Sequence, residues 1–199
     1  MQPLFVESGF PWEAAERGHL RRFLDALRSP VIQPLQILTL PVTDLYGDHW
    51  SLNGQNVPDA SSPDSAVFLP GRNVLLLAKA MLWCHLHDVP AVALAVLAAN
   101  PFPDATAAFF AAYAAAVNQA VDGSVQVLRP FADMKKADIV RRDRELPLQL
   151  TFSCIQPCRI LEGFMHCGRC NKCGERRRAF HDAGVPDPTQ YASETPCIV

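Results

Sequence analysis

The chain has 199 residues, 49% of them hydrophobic, with 18 basic against 20 acidic side chains and a formal net charge of −2. That length and apolar content suit a buried core and exclude intrinsic disorder, and the acidic balance argues against a strongly basic nucleic-acid binder. "MQPLFVESGF" has neither basic leader nor long apolar run, and "NVLLLAKAMLWCHLHDV" is broken by Lys79, two histidines and an aspartate, so neither a secretion signal nor a membrane span is expected.

"PLFVESGF" reads as a strand leading into "PWEAAERGHLRRFLDALRS", whose leucines and phenylalanine recur at helical spacing. "LQILTLPV" is a second strand. Residues 44–66 are rich in Gly, Asn, Asp, Ser and Pro and read as one long loop, a segment type often used as a functional lid. "RNVLLLAKAMLWCHLHD" is a helix in which Cys84 is a core residue, and "AVALAVLA" is an apolar strand of the kind buried on both faces. "DATAAFFAAYAAAVNQAVDG" is an alanine-rich helix, with Asp104 placed to cap it and Gly123 to end it. "VQVLRPF" is a strand and "KKADIVRRDRE" a helix. Strand and helix alternate, so the fold class expected is α/β with a doubly wound parallel sheet. The pattern changes near residue 150, which divides the chain into an α/β domain, 1–150, and a segment, 151–199, with a cysteine-bearing loop, the helix "GERRRAFHDAG" and a tail.

That last segment holds the chemistry. Cys167, Cys170 and Cys173 follow one another at two-residue gaps, and Cys154 lies thirteen positions upstream of the first. Four soft ligands are what a tetrahedral zinc ion takes, and a shell closed by four protein sulfurs makes the metal structural. Gly168 and Gly174 are read as supplying the backbone angles of the turns, whose amides soften the thiolate charge. Other readings stand beside this one: an iron–sulfur cluster on the same thiols, disulfides, Cys158 in place of Cys154, or His166 in place of one thiol. Cys197 reads as a free thiol in the tail.

Several stretches, "LPGRN" (69–73), "NPFPD" (100–104), "KADIV" (136–140), "LPLQLTFSC" (146–154), "HCGRCNKCGERRRAF" (166–180) and "AGVPDP" (183–188), fall in an order that resembles the 7-cyano-7-deazaguanine synthase family of the ATP pyrophosphatases. The resemblance spans about residues 67–191 and implies an adenine-nucleotide-hydrolase-like fold. It implies an ATP-dependent ligase that adenylates a 7-deazapurine carboxylate and uses ammonia to form the amide and then the nitrile. ATP with Mg²⁺ is the implied co-substrate, a homodimer a compatible assembly, and the cytoplasm the implied compartment. It also implies a structural Zn²⁺ on Cys154, Cys167, Cys170 and Cys173. By motif position, Arg72 and Lys136 are implied to hold nucleotide or substrate anions, and Asn73, Asn100 and Asp104 to line a purine pocket. No catalytic residue is assigned.

The sequence also departs from that family. The S-G-G-x-D-S loop that cradles pyrophosphate does not occur in these 199 residues, and the chain is read as beginning at the family's second strand, with Met1 standing in for an upstream start. Where the family has Pro-Asp-Cys-Arg, this chain has Pro103-Asp104-Ala105-Thr106, and Ile155 stands where a tyrosine often follows the first metal cysteine. The alternative to an enzyme is therefore a catalytically inactive zinc-stabilised binding or assembly subunit, with Arg176–Arg178 as either a nucleic-acid edge or a solvated helix face.

Overall fold

The computed structural model describes residues 1–161 and 163–192, so Cys197 lies outside the described residues. The chain divides into two compact units, Met1–Val67 with Ala137–Val199, and Phe68–Lys136.

The first unit opens with β1 (Leu4–Glu7), helix α1 (Glu13–Leu27) and β2 (Gln36–Thr39), and β1 pairs with β2 in parallel from Leu4 opposite Gln36 to Glu7 opposite Thr39. A parallel pair needs a crossover, and α1 provides it. The turn between β1 and α1 is held by Glu13, whose carboxylate accepts from the amides of Ser8 (2.8 Å) and Gly9 (2.9 Å), with Gly9 at φ +95°. Helix α1 buries Ala15 and His19, and Arg28 in the left-handed conformation ends it.

Residues 44–66 are not one structureless loop. They hold most of a short helix α2 (Thr43–Tyr46), helix α3 (Trp50–Asn53) and the start of a 3-10 turn at Asp64–Val67. Composition alone suggested a loop because the segment is polar. Its few aromatics nevertheless pack: Trp12, 3% exposed, has Phe10 at 4.9 Å and Trp50 at 5.8 Å between ring centroids.

The second unit contains α4 (Arg72–Leu86), β3 (Ala91–Ala93), α5 (Ala107–Val121) and β4 (Gln126–Leu128), with β3 and β4 parallel and α5 as their crossover. Its buried residues include Leu77, Met81 and Cys84 from α4 and Phe110 from α5. Cys84 is thus a core residue, and burial pushes its thiol above the ordinary range. Only Ala91–Ala93 of "AVALAVLA" is strand; Leu94 adds one bond to the ladder through Leu128, and the chain then leaves it. Helix α5 is capped by Thr106, whose hydroxyl accepts from the Phe109 amide, and Asp122 in the left-handed conformation closes it ahead of Gly123.

α6 (Lys136–Arg142) begins with the last residue of that unit. The hairpin β5 (Cys158–Ile160) with β6 (Gly163–Met165) and helix α7 (Asn171–Ala183), ended by Gly184 at φ +67°, complete the first unit. The architecture is therefore mixed α/β with two parallel βαβ units. The described strands form three two-stranded ladders and no continuous sheet.

Candidate metal centre

The four cysteines come from two places. Cys154 follows the 3-10 turn Leu148–Leu150; Cys167 and Cys170 lie in the turn after β6, and Cys173 is in the first turn of α7. Their sulfurs all lie within 4.8 Å of one another, and all four residues are buried. The Sγ of Cys154 is 3.8 Å from that of Cys170, and the Sγ of Cys167 is 3.9 Å from that of Cys173. A regular tetrahedron with metal–sulfur bonds of about 2.3 Å has edges of about 3.8 Å, so the observed edges fit a single tetrahedral ion. A polynuclear iron–sulfur cluster spreads its thiolates over several irons and finds no volume here. Bonded sulfurs would be about 2.05 Å apart, and the four are free cysteines.

The chain around them is built for negative charge. Amides of Gln156 and Cys167 donate to the Cys154 sulfur at 3.4 and 3.3 Å, and amides of Arg169 and Cys170 donate to Cys167 at 3.4 and 3.3 Å. As bare thiols the four share protons unequally. Hydrogen bonding with Cys167 drives Cys154 far up, the same bond drives Cys167 far down, and bonding from Cys154 brings Cys170 to about 7. A central dication removes that frustration, because every sulfur then faces positive charge.

The alternative ligands are excluded by position. His166 is 2% exposed, its Nε2 accepts from the Ser153 amide at 3.4 Å, and its ring lies 4.4 Å from Phe152 and 5.8 Å from Tyr191. Burial, reinforced by the Arg176 charge, takes its pKa down to about 3, so the ring is a neutral packing element. Cys158 lies in β5, outside the four-sulfur group. The two glycines have different duties. Gly168 has φ +77° and serves the turn, whereas Gly174 sits inside α7, where a Cβ would come within 3.0 Å of the Ala60 Cβ. Gly174 is needed for close approach, not for backbone angle.

Of the arginine run of α7, Arg176 is buried, while Arg177 and Arg178 are exposed and bond along the surface. Arg176 donates from Nε to Thr189 Oγ1 (2.6 Å), from Nη1 to Thr151 Oγ1 (2.9 Å) and from Nη2 to the Leu148 carbonyl (2.8 Å). Arg177 donates to the Gly168 carbonyl at 2.7 Å and lies 4.0 Å above the Tyr191 ring; Arg178 reaches the Ala60 carbonyl at 3.4 Å. All three bond to neighbouring chain, Arg176 from the interior and the other two from the surface. Sequence reading missed Arg176 because a triple-arginine run looks solvated; its only local signal is Phe180 at helical spacing, which the guanidinium covers at 5.1 Å.

In the second unit two of the motif residues, Asn73 and Asp104, meet at the start of α4. The Asp104 carboxylate accepts from the Asn73 amide at 2.9 Å, and Asn73 Nδ2 donates to the Asp104 carbonyl at 2.9 Å. Asp104 therefore caps α4 and not α5, a correction that follows from Thr106 already serving α5. Arg72 is the first residue of α4 and Lys136 the first of α6, both half-buried. Asn100 is exposed and its Oδ1 accepts from the Phe102 amide at 3.0 Å.

With this geometry in view, the relationship to known proteins is direct. The profile of one family, Queuosine biosynthesis protein QueC, matches residues 26–184. The chain belongs to that family. A 7-cyano-7-deazaguanine synthase of Rhizobium leguminosarum bv. trifolii is 39% identical over 147 residues, 69% of this chain and 60% of the relative. The protein of the same name from Rhizobium johnstonii is 40% identical over 168 residues, 77% of this chain and 69% of the relative. That from Paracoccus denitrificans is 38% identical, covering 69% of this chain and 61% of the relative. The QueC match includes all four cysteines and Arg72, Asn73, Asn100, Asp104 and Lys136, while the chain spans between three-fifths and seven-tenths of the length of these relatives. Among the described residues, no helix is long and apolar enough to cross a membrane.

Proposed function

We propose that this chain forms the motif-bearing and metal-binding part of a 7-cyano-7-deazaguanine synthase, a cytoplasmic ATP-dependent ligase of queuosine biosynthesis. The observation that carries the reading is the convergence of four sulfurs within a QueC match over residues 26–184. In that reaction an oxygen of 7-carboxy-7-deazaguanine attacks the α-phosphorus of ATP, and pyrophosphate leaves with Mg²⁺. Ammonia adds to the acyl carbon, AMP departs and a proton is lost, which yields the amide. A second activation lets the amide oxygen leave as AMP while the nitrogen sheds its protons, which yields the nitrile.

Arg72 and Lys136 are assigned to the anions of this chemistry, carboxylate or phosphate, because they carry the flexible cationic groups at the matched motifs. The backbone at the start of α4 is less suited to that task, since the Asp104 carboxylate already occupies the Asn73 amide. Asn73, Asn100 and Asp104 are assigned to the edge of the purine, where the bonded Asn73–Asp104 pair presents a fixed pattern of polar groups. The ion of the four cysteines is taken as Zn²⁺, whose closed sulfur shell gives it a structural role. A doubly wound, adenine-nucleotide-hydrolase-like sheet is the architecture proposed for the complete protein, and the two parallel βαβ units support it.

The test is AMP release by the full-length gene product, given ATP, Mg²⁺, ammonia and 7-carboxy-7-deazaguanine. AMP is expected only with the deazapurine acid present, and Arg72→Ala or Lys136→Ala should lower kcat/KM about 100-fold, or about 2.7 kcal/mol. No AMP with any deazapurine acid overturns the enzyme reading in favour of an inactive zinc-stabilised subunit.

A further inference from the structure

The segment around residues 57–62 lies against the metal knuckle by backbone contact. The Ala60 amide donates to the Arg169 carbonyl at 2.8 Å, and the Asn171 amide donates to the Pro58 carbonyl at 2.8 Å. Asp59 and Cys170 form a β-bridge between these bonds, so a metal ligand is itself part of the ladder. Val57 packs against the cysteine cluster. From the other side, Asn171, fully buried, donates from Nδ2 to the Ser62 carbonyl at 2.8 Å. Ala60 sits on Gly174, where an added Cβ would lie 3.0 Å from the Ala60 Cβ, 3.1 Å from its Cα and 3.2 Å from its carbonyl oxygen. The segment is shaped in advance for this seat: Asp59 Oδ1 accepts from the amides of Ser61 and Ser62, both at 2.9 Å, and from both hydroxyls.

The dock consists of Arg169, Cys170, Asn171 and Gly174. Three of these backbone positions, Arg169, Cys170 and Asn171, lie within the Cys167-x-x-Cys170-x-x-Cys173 turn, which four mutually repelling thiolates hold together only around a cation. We propose that residues 57–62 are a strap whose order is set by occupancy of the four-cysteine site. The proposal rests on the metal reading above and adds a coupling between metal and strap. Gly174 and Asn171 are its positioning residues, and the strap is a fixed clasp, not a mobile lid.

Coupling between two sites is reciprocal, so a change in the strap that touches no sulfur must weaken the metal. The experiment uses the full chain and titrates Co²⁺, then Zn²⁺, against a chelating dye, following cobalt–thiolate absorption. Ala60→Leu, which cannot seat on Gly174, should raise the metal Kd about tenfold, within the range of coupled sites. Asp59→Ala acts in an exposed turn that leaves the fold intact, and should raise it about threefold. Ala60→Gly, which keeps the seat, should bind as the parent does, as should Gln55→Ala from the exposed chain just outside the strap. Hydrogen exchange in 57–62 should rise at least tenfold in Ala60→Leu with the cobalt spectrum unchanged in form. Normal cobalt absorption, with Kd values for Ala60→Leu and Asp59→Ala both within twofold of the parent, overturns the coupling alone. Absence of cobalt–thiolate absorption in the parent chain overturns the metal reading and the coupling together. AMP release tests the enzyme reading separately.

Discussion

The knuckle at Cys154–Cys173 and the start of α4 at Leu69–Asn73 are both crowded with polar motif residues, yet they differ in how those residues are satisfied. In the knuckle, four buried thiols face one another and cannot all ionise without an external cation. At α4, Asp104 and Asn73 satisfy each other through two bonds of 2.9 Å. Groups that converge without satisfying one another mark a place for a ligand. Groups that close on each other are first of all structure, and any substrate contact they make is added to a capping role.

The sharpest way to break this contrast is to remove one sulfur. Cys173→Ser should take metal content from one ion per chain to near zero, and the lost binding energy should cost at least ~5 kcal/mol of stability, a Tm fall of ~10–20 °C. Calorimetry with elemental analysis checks both. Retained metal and an unchanged Tm would place the ion elsewhere. A step smaller is the loss of Arg176. Arg176→Ala removes the guanidinium bonds to Thr151 Oγ1, Thr189 Oγ1 and the Leu148 carbonyl, the last of which keeps the Thr151 amide and hydroxyl as donors, and should cost about 3 kcal/mol in urea denaturation. Arg176→Lys should recover less than half, because an ammonium cannot reproduce the planar fork.

On the other side of the comparison, Asp104→Ala should destabilise by about 1 kcal/mol through the lost cap of α4, whether or not substrate is present. Asp104→Asn, which keeps an oxygen acceptor, should lose less. Unchanged stability in Asp104→Ala would remove the capping role and leave Asp104 to the substrate alone.

The smallest effect belongs to His19, which joins α1 to the knuckle side of the first unit. Its ring nitrogens face the Leu150 carbonyl at 3.2 Å and the Phe164 carbonyl at 3.0 Å. Burial lowers its pKa below 6.5, the Phe164 and Leu150 carbonyls oppose that, and the Arg22 and Arg176 charges add to it. The folded state therefore binds the proton less readily than the unfolded chain. The stability contributed is complete above pH 6.5 and is lost as pH falls through the lower folded value. His19→Gln should flatten this slope in unfolding free energy measured between pH 7 and 5; an identical slope would show that His19 does not contribute to it.

The two regions also differ in how much the sequence discloses. The four cysteines that could hold a metal are legible because three of them sit within seven residues and their chemistry is carried by side chains. Two-residue gaps alone aim them at one point, and the fourth falls in a matched motif. The strap is not legible. Asn171 and Ser62 are 109 positions apart, and the contact uses a backbone carbonyl that any residue could supply. Asp104 was legible as a cap but not as the cap of α4, because the partner amide lies 31 residues upstream. The sequence shows Gly174 but not its reason, since only the neighbouring Ala60 reveals that the constraint is space. Strand and helix order was readable from periodicity. Pairing partners were not, because a short apolar run such as "AVALAVLA" carries no information about which neighbour it meets or how far the ladder runs.

The four sulfurs of Cys154, Cys167, Cys170 and Cys173 are expected to hold one structural ion. X-ray absorption at the zinc edge on the purified chain, with metal quantified in the same sample, tests it most directly. One zinc per chain with four sulfur neighbours at about 2.3 Å is the result predicted. Folded protein without metal, or a zinc shell containing nitrogen or oxygen, would contradict it.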